Sequence, residues 1–238
     1  MVAMNNKQVS LMFSGGLDST TAALNLAKKY DKVHLLTYFN GHGHLYINNS
    51  AKRANELKKI EKDKFIHSII SIEDLFKQMV IDRLLQDYQE YKSGFIWCLG
   101  CKMCMHTKSI IYNLKNNIGF MADGSSADSD EMVEQMSLSV SLIAMFYEEY
   151  KINYFVPVYK QTREEKIKKL KELRFRMGLQ IGNRFLGVQP KCIPGELYYM
   201  PYLCFNKAME HEKPLVTKFI KEKKEFADTY IKGHLHNG

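Results

Sequence analysis

The feature that most constrains the fold is a glycine-containing loop that follows an apolar run near the start of the chain. Residues 9–13 (VSLMF) are typical of a buried strand, and residues 14–20 (SGGLDST) follow directly. Residues 22–27 (AALNLA) then have the composition of a helix. Glycines let backbone N–H groups approach a phosphate closely, and a helix N-terminus adds donors and a favourable dipole. The loop therefore predicts a strand–loop–helix unit that holds a phosphate group.

Further apolar runs alternate with helical segments along the chain. The predicted strands after the first are residues 32–39, 65–70, 118–122 and 152–156, and predicted helices include residues 50–61 and about 72–91. Strands that alternate with helices imply right-handed crossovers and a parallel sheet covered on both faces. The sequence thus predicts an α/β fold with an open, mostly parallel sheet.

The second half of the chain is less regular. Residues 162–176 predict a helix with Thr162 as its N-cap. Residues 186–205 carry three prolines and two cysteines, which predicts an ordered, loop-rich unit. We therefore assign residues 1–160 to a nucleotide-binding α/β domain, and residues 161–238 to a helical and loop-rich extension that completes the metal or substrate site.

Charge and hydropathy narrow the classes of partner. The 34 Lys and Arg residues against 26 Asp and Glu residues give a net charge of +8, which favours partners that carry phosphate, such as nucleotides or RNA. The longest apolar stretch, residues 136–147, is interrupted by serines and is shorter than the roughly 20 residues that span a bilayer. The N-terminus lacks the apolar region of a signal peptide. We expect a cytoplasmic protein without a membrane partner.

The glycine loop resembles the pyrophosphate loop of the PP-loop ATP pyrophosphatase superfamily. It differs from a Walker A loop because no lysine follows the glycines, and it lacks the third glycine of a dinucleotide fingerprint. The resemblance implies an adenine nucleotide alpha hydrolase-like sheet, with ATP across the carboxyl ends of the strands. It also implies adenylation of a substrate oxygen, release of pyrophosphate, and displacement of AMP by a nitrogen or sulfur nucleophile. The residues it assigns to ATP are Ser14, Gly15, Gly16, Asp18, Ser19 and Thr20, with Asp18 also on Mg²⁺ and catalytic.

A second segment is similar to another motif of the same superfamily. Residues 121–130 (MADGSSADSD) follow the fourth predicted strand and combine a glycine with acidic residues. The resemblance places Gly124 and Ser125 near the nucleotide and makes Asp128 a second magnesium ligand. A helix-capping loop rich in Ser and Asp is the alternative explanation of this segment.

The cysteines form the second chemical signal. Cys98, Cys101 and Cys104 make a C-x-x-C-x-x-C run, and Cys192 and Cys204 lie far downstream. Two-residue gaps let successive thiolates turn towards one centre, and an odd number of cysteines argues against a disulfide framework. Cys192 or Cys204 would complete a metal site, and any four of the five cysteines would suffice. We predict the set Cys98, Cys101, Cys104 and Cys192, with Cys98 and Cys101 also catalytic.

Two metals and one metal-free scheme fit this run. Zn²⁺ on four cysteines resembles the nitrile-forming synthases of deazaguanine biosynthesis, whereas a [4Fe–4S] cluster on three cysteines resembles the tRNA 2-thiolation enzymes of the superfamily. The third scheme is a persulfide relay between two cysteines, which needs lowered thiol pKa values. Lys102 and His106 are placed in sequence to lower the pKa of a neighbouring thiol.

The loop after the second strand and the aromatic residues near the end of the chain add open possibilities. Residues 41–44 (GHGH) lie where a ligand of an open α/β sheet would lie, and they would touch adenine, bind a metal or recognise substrate. Aromatic side chains between Tyr198 and Phe205 would stack on a base or pack a loop-rich unit.

Three functions follow, in order of preference. The first is ATP-dependent adenylation of a carbonyl oxygen followed by sulfur transfer to a tRNA base, with a sulfur-donor protein as a further partner. The second is a small-molecule ligase that converts a carboxylate to an amide or nitrile and carries structural zinc. The third is a nucleotide-binding module without turnover. A homodimer is compatible with each.

Overall fold

The structure, a computed structural model, describes residues 7–181, 184–205 and 207–236. Its centre is a five-stranded parallel sheet. The strands, in chain order, are β1 (Gln8–Met12), β2 (Lys32–Phe39), β4 (Phe65–Ser71), β5 (Phe120–Ala122) and β6 (Asn153–Phe155), while β3 (His44–Leu45) lies outside this sheet. Their spatial order is β4-β2-β1-β5-β6. The predicted α/β fold is confirmed, and the order reverses between β1 and β5, which opens a crevice at their carboxyl ends.

Helices cover both faces because successive side chains of each strand point to opposite sides. Val9 and Leu11 of β1 belong to one core, whereas Met12 belongs to the other. The first core packs under α1 (Leu17–Ala27), α2 (Asn48–Ile60) and α7 (Arg163–Glu172). The second packs under α5 (Phe95–Lys115), α6 (Ser137–Glu149) and α10 (Lys213–His236). Each fully buried Leu of these cores contributes roughly 1.5–3 kcal/mol through the hydrophobic effect.

The predicted helix at residues 72–91 is interrupted. The chain forms α3 (Glu73–Phe76), a π-helical turn at Lys77–Ile81, and α4 (Leu84–Tyr91). Val80 of the turn packs against Gly100 of α5, where an added Cβ would lie 2.7 Å from the Val80 methyl carbon. The irregular turn therefore packs closely against α5 at Gly100, a tertiary contact that the periodicity of residues 72–91 does not show.

The second half of the chain contains more regular structure than predicted. Thr162 caps α7 through a capping box with Glu165, as expected, but the helix ends at Glu172 rather than near Arg176 because Arg174 adopts a left-handed backbone. After α7 come β7 (Leu179–Ile181), β8 (Arg184–Leu186), β9 (Lys191–Cys192), α8 (Ile193–Tyr198) and α9 (Met200–Phe205).

The last helix packs against the cysteine-bearing helix. α10 lies along α5, and a buried ion pair between Lys223 and Asp87 ties it to α4. Within the described chain, no helix is both long and apolar enough to cross a membrane. The division of the chain at residue 160 stays a prediction.

Candidate functional site

A cavity of about 440 Å³ lies at the carboxyl ends of β1 and β5. Two sets of residues, interleaved along the sequence, line it. The nucleotide wall consists of Ser14, Gly16, Asp18, Ser19, Gly124 and Ser125. The thiol wall consists of His44, Cys98, Cys101 and Cys192. The loop predicted to bind ATP and most of the cysteines therefore share one cavity.

The pyrophosphate loop owes its shape to two glycines at close contacts. Gly15 has φ +78°, and its carbonyl oxygen accepts a hydrogen bond of 3.1 Å from Nε of the buried Arg53. Gly124, just after β5, lies against the loop, so that an added Cβ would be 3.0 Å from the backbone N and Cα of Ser19. The loop is thus held between α2 on one side and the second motif on the other. Ser14, Gly16 and Ser19 line the cavity, where Gly16 N–H donates to Ser14 Oγ and the two serine hydroxyls share a hydrogen bond.

A buried lysine joins the two acidic residues predicted to hold magnesium. Lys166 of α7 is 1% exposed, and its Nζ lies 2.7 Å from Asp18 Oδ1 and 3.7 Å from Asp128 Oδ2. The same ammonium donates a 2.7 Å hydrogen bond to Ser126 Oγ. Carboxylate oxygens are ligands that Mg²⁺ prefers, so the donors Asp18 and Asp128 fit that ion in kind. Lys166 already supplies a positive charge between them.

A second ion pair lies at the cavity. Lys102 of α5 forms an ion pair with Asp123, whose Oδ1 accepts hydrogen bonds from the backbone N–H and hydroxyl of Ser125. Burial raises the pKa of Asp123, but Lys102 and the other partners outweigh it and lower that pKa to about 2. Burial, together with Lys102, lowers the pKa of His106 to about 3. Asp123 is thus an anion that orients Ser125 within the nucleotide wall.

The thiol wall is assembled from three separate elements. Cys98 and Cys101 lie one turn apart on α5, and Cys192 lies on β9, opposite His44 of β3 in an antiparallel pair. Cys101 Sγ lies 3.9 Å from His44 Nε2 and 3.5 Å from the Asn40 amide nitrogen, which donates to it. A Cβ added to Gly195 would lie 3.4 Å from Cys98 Sγ and 3.5 Å from Cys192 Sγ. Glycine at this position therefore leaves room for both sulfur atoms.

The remaining two cysteines lie elsewhere. Cys104 is fully buried, and its Sγ faces Met79 Sδ at 3.6 Å in the second core. An α-helix advances about 100° per residue, so a residue six positions after Cys98 points away from the cavity. Cys204 is exposed on α9. The structure brings Cys98, Cys101 and Cys192 together and does not bring Cys104 to them.

Lys102 lowers the pKa of Cys101, as expected, but burial is the larger effect and raises that pKa overall. Lys102 is paired with Asp123, and His106 Nδ1 bonds with the Tyr147 hydroxyl. Burial raises the pKa values of Cys98, Cys101 and Cys192. Uncharged, buried thiols are weak nucleophiles, whereas a bound metal deprotonates its thiol ligands. The burial of the thiol wall favours a metal site over a metal-free persulfide relay.

The thiol wall fits a thiophilic metal in the type of its donors. Soft sulfur ligands suit both Zn²⁺ and iron–sulfur clusters. The donor atoms do not yet surround one point, since in the described ranges no group of three or more His, Cys, Asp or Glu side chains is arranged to hold a metal ion. Three thiols line the cavity. Of the four cysteines predicted as metal ligands, Cys104 is the one that is absent from it.

The other predicted residues are placed close to the cavity without lining it. Gly15 is turned towards Arg53, and Thr20 is fully buried in α1. Asp128 contacts Lys166, with its Oδ2 3.7 Å from the Lys166 Nζ. Residues that the sequence analysis missed include Arg53, Lys166 and Asp123. Asp123 precedes the predicted Gly124, so its position next to a strand end was a usable signal. Lys166 and Arg53 looked like ordinary members of charged helices, and only their burial distinguishes them.

Comparisons with known proteins agree with the geometry of the nucleotide wall. Residues 8–96 match the family model described as QueC, queuosine biosynthesis protein QueC. No curated protein matches the chain. The match confirms the resemblance to the PP-loop ATP pyrophosphatase superfamily.

Two solved structures are similar to this chain at low sequence identity. One is a predicted subunit of tRNA methyltransferase from Methanocaldococcus jannaschii, with 20% identity, a TM-score of 0.47, and coverage of 69% of this chain and 75% of that one. Another is a 4-thiouridine synthetase in complex with RNA and bound ATP, with 14% identity and a TM-score of 0.49. That alignment covers 94% of this chain and 53% of the synthetase, so the chain spans about half the length of the synthetase.

Proposed function

We propose that this chain, which resembles the PP-loop ATP pyrophosphatases, adenylates a carbonyl oxygen of a tRNA base and then replaces that oxygen with sulfur. One observation carries the proposal: the thiol wall and the nucleotide wall face the same cavity. Soft thiols, or a metal that they hold, therefore stand beside the position where an adenylated substrate would form. The net charge of +8 supports a polyanionic acceptor.

The first step is activation of the substrate oxygen. The carbonyl oxygen attacks the α-phosphorus of ATP, forming an O–P bond, and the bond to pyrophosphate breaks. Gly16 N–H, the Ser14 and Ser19 hydroxyls and the N-terminus of α1 would bind the phosphates. Asp18 would hold Mg²⁺, which neutralises charge on the leaving pyrophosphate, and Lys166 would keep Asp18 in position.

The second step is displacement of AMP. A hydrosulfide ion attacks the activated carbon, the C–O bond to AMP breaks, and one proton is released as the C=S product forms. Cys98 and Cys101, predicted as catalytic residues, would lie on the side from which this nucleophile enters. The cavity of about 440 Å³ is far smaller than a tRNA, so most of the tRNA would remain outside it.

A small-molecule amide- or nitrile-forming ligase is the second candidate. The match of residues 8–96 to the QueC family model is the observation that favours it. Its first step is the same, but the substrate is a carboxylate and the nucleophile is ammonia. A nucleotide-binding module without turnover remains the third possibility, against which the retained Asp18 and loop hydroxyls argue.

The test compares two sets of substrates at equal ATP and Mg²⁺. One reaction contains unmodified tRNA transcripts with inorganic sulfide, and the other contains small carboxylic acids with ammonium. We expect AMP and pyrophosphate in equal amounts, with a thiolated nucleoside in the digested tRNA by mass spectrometry. AMP formed only with ammonium and a carboxylate would replace the proposal with the ligase. ATP binding without AMP in either reaction would leave the nucleotide-binding module.

A further inference from the structure

Glu134 is a carboxylate at the cavity to which the two steps above give no role. It lies in a short 3₁₀ turn, Val133–Gln135, and it lines the cavity together with Cys98 and Cys192. The hydroxyl of the buried Tyr199 donates a 2.7 Å hydrogen bond to Glu134 Oε2. Within the part of the chain that the structure describes, Oε1 accepts no hydrogen bond, and no Lys, Arg or His forms an ion pair with this carboxylate.

The turn that carries Glu134 is held from two directions. Next to the nucleotide wall, Gln135 Oε1 accepts a 3.1 Å hydrogen bond from the backbone N–H of Ser126. From the segment that follows β9, the Tyr199 hydroxyl accepts a 3.0 Å hydrogen bond from Val133 N–H and donates to Glu134. The carboxylate is therefore held in place at the cavity before any substrate binds.

The charge of Glu134 argues against a role in activating the thiols. Burial is the main reason that the pKa of the Cys98 thiol is raised, and the negative charge of Glu134 raises it further. A neighbouring anion makes a thiolate less stable, so this carboxylate does not favour a sulfur nucleophile. Its unpaired oxygen is instead an acceptor that suits an N–H donor of a bound substrate.

We propose that Glu134 is a catalytic residue that takes the N–H proton of a lactam group, HN–C=O, while the oxygen of that group is adenylated. This inference rests on the proposed function. The N–H bond breaks and its proton passes to Glu134, while its electron pair forms a C=N bond. The oxygen then forms the O–P bond to the α-phosphorus of ATP, and the bond to pyrophosphate breaks. A positioned general base of this kind contributes roughly 10²–10⁴-fold to a rate.

The second step returns a proton to the ring nitrogen. The hydrosulfide ion attacks the carbon of the C=N bond, and the C–O bond to AMP breaks. The proton of the hydrosulfide ends on the ring nitrogen as the C=S bond forms. The proton on Glu134 leaves to solvent, so the overall reaction still releases one proton.

The arrangement of the carboxylate indicates which base it fits. Tyr199 engages one oxygen of Glu134, which leaves one oxygen for a single donor. Within RNA, uracil presents one ring N–H, flanked by both of its carbonyl groups, whereas guanine presents two N–H donors side by side. The ring of cytosine carries no N–H, and a carboxylate substrate has none either. Uridine is therefore the class of acceptor that the site favours.

The test compares the unaltered chain with Glu134→Gln on tRNA transcripts made with uridine or with 5-fluorouridine, at equal ATP, Mg²⁺ and inorganic sulfide. With uridine, we expect the variant to bind ATP normally and to form thiolated nucleoside at least about 100-fold more slowly. The N3–H of 5-fluorouridine is more acidic and depends less on a base, so the deficit should shrink several-fold. A merely structural role of Glu134 would give the same deficit on both transcripts.

A neighbouring carboxylate provides the matched control. Glu131 precedes the same turn and does not line the cavity, so Glu131→Gln should thiolate both transcripts at the rates of the unaltered chain. If Glu134→Gln is unfolded by circular dichroism, Glu134→Asp takes its place. That variant keeps the charge but shortens the side chain, and its deficit should shrink with 5-fluorouridine in the same way.

The outcomes separate this inference from the proposed function. The inference is overturned if Glu134→Gln matches the unaltered chain on uridine transcripts, if its deficit is unchanged with 5-fluorouridine, or if cytidine is the base that is thiolated. Each of these results leaves the proposed function intact, because the unaltered chain still forms a thiolated product. An unaltered chain that forms none refutes the proposed function and this inference with it.

Discussion

The two walls of the cavity are built in opposite ways. The nucleotide wall comes from two short contiguous segments that follow β1 and β5, and the parallel pairing of these two strands brings the segments together. The thiol wall takes His44 from β3, two cysteines from α5 and Cys192 from β9. The first wall depends on backbone shape and glycine, and the second depends on how distant elements pack.

This difference determines how a substitution in each wall should act. A change in the nucleotide wall should act on the phosphate chemistry directly, because its residues line the cavity in which we propose that ATP binds. A change in the thiol wall should depend on which side of α5 it affects, since Cys101 and Cys104 share one helix but face different surroundings.

Asp18→Asn should have the largest effect, because it removes the carboxylate charge that we propose holds Mg²⁺ and that pairs with Lys166. We expect AMP and pyrophosphate formation to fall by roughly 10²-fold or more, which is typical when a charge-stabilising group is lost. The measurement is AMP release under saturating ATP and Mg²⁺. Asp31→Asn, at an exposed carboxylate before β2, should leave the rate unchanged. An active Asp18→Asn protein would contradict the assigned role.

Cys101→Ala and Cys104→Ala should separate the two sides of α5. Cys101→Ala should lower formation of the thiolated product at least about 10-fold, because Cys101 belongs to the thiol wall. Cys104→Ala should retain product formation and lower the free energy of unfolding by about 1 kcal/mol, because it leaves a small void in the core. Product analysis and urea unfolding measure the two effects. Equal loss of product in both variants would refute the assignment of different roles to Cys101 and Cys104.

Gly124→Ala should test the contact between the two segments of the nucleotide wall. The new methyl group would meet the backbone of Ser19 at 3.0 Å, so we expect a loss of about 1–3 kcal/mol in unfolding free energy and weaker ATP binding. Gly233→Ala in α10 meets no atom within 4 Å and should instead stabilise the helix by about 1 kcal/mol. Urea unfolding and ATP titration provide the measurements. Unchanged ATP affinity in Gly124→Ala would show that the contact is dispensable.

His106→Gln should have the smallest effect, visible only in the pH dependence of stability. The folded-state pKa of His106 is about 3, below the ordinary value of 6.5. As pH falls below 6.5, the unfolded chain binds a proton that the folded chain does not, and stability decreases by up to about 1.4 kcal/mol per pH unit. Unfolding from pH 7 to 4.5 should show a shallower decrease in the variant. Identical slopes would mean that His106 is charged in the folded protein.

The sequence predicted much of the fold and part of the site. The strand–loop–helix order around residues 14–20 predicted the parallel sheet and the place of the nucleotide wall, because local patterns determine both. It did not predict the π-helical turn at Lys77–Ile81, which accompanies the close approach of Val80 to Gly100. Lys166 was also missed, because its charge looked like that of a solvated helix and only the packing of α7 buries it.

By itself, the sequence determined that a glycine loop resembling a pyrophosphate loop follows the first strand and that a set of thiols lies downstream. Glycine conformation, strand periodicity and the chemistry of hydroxyls, carboxylates and thiols are properties of short segments, so no distant contact is needed to infer them. Only the tertiary structure decided which thiols share the cavity. The rotation of α5 buries Cys104, and the β3–β9 pairing brings Cys192 beside His44 from far along the chain, because packing rather than spacing sets which distant side chains meet.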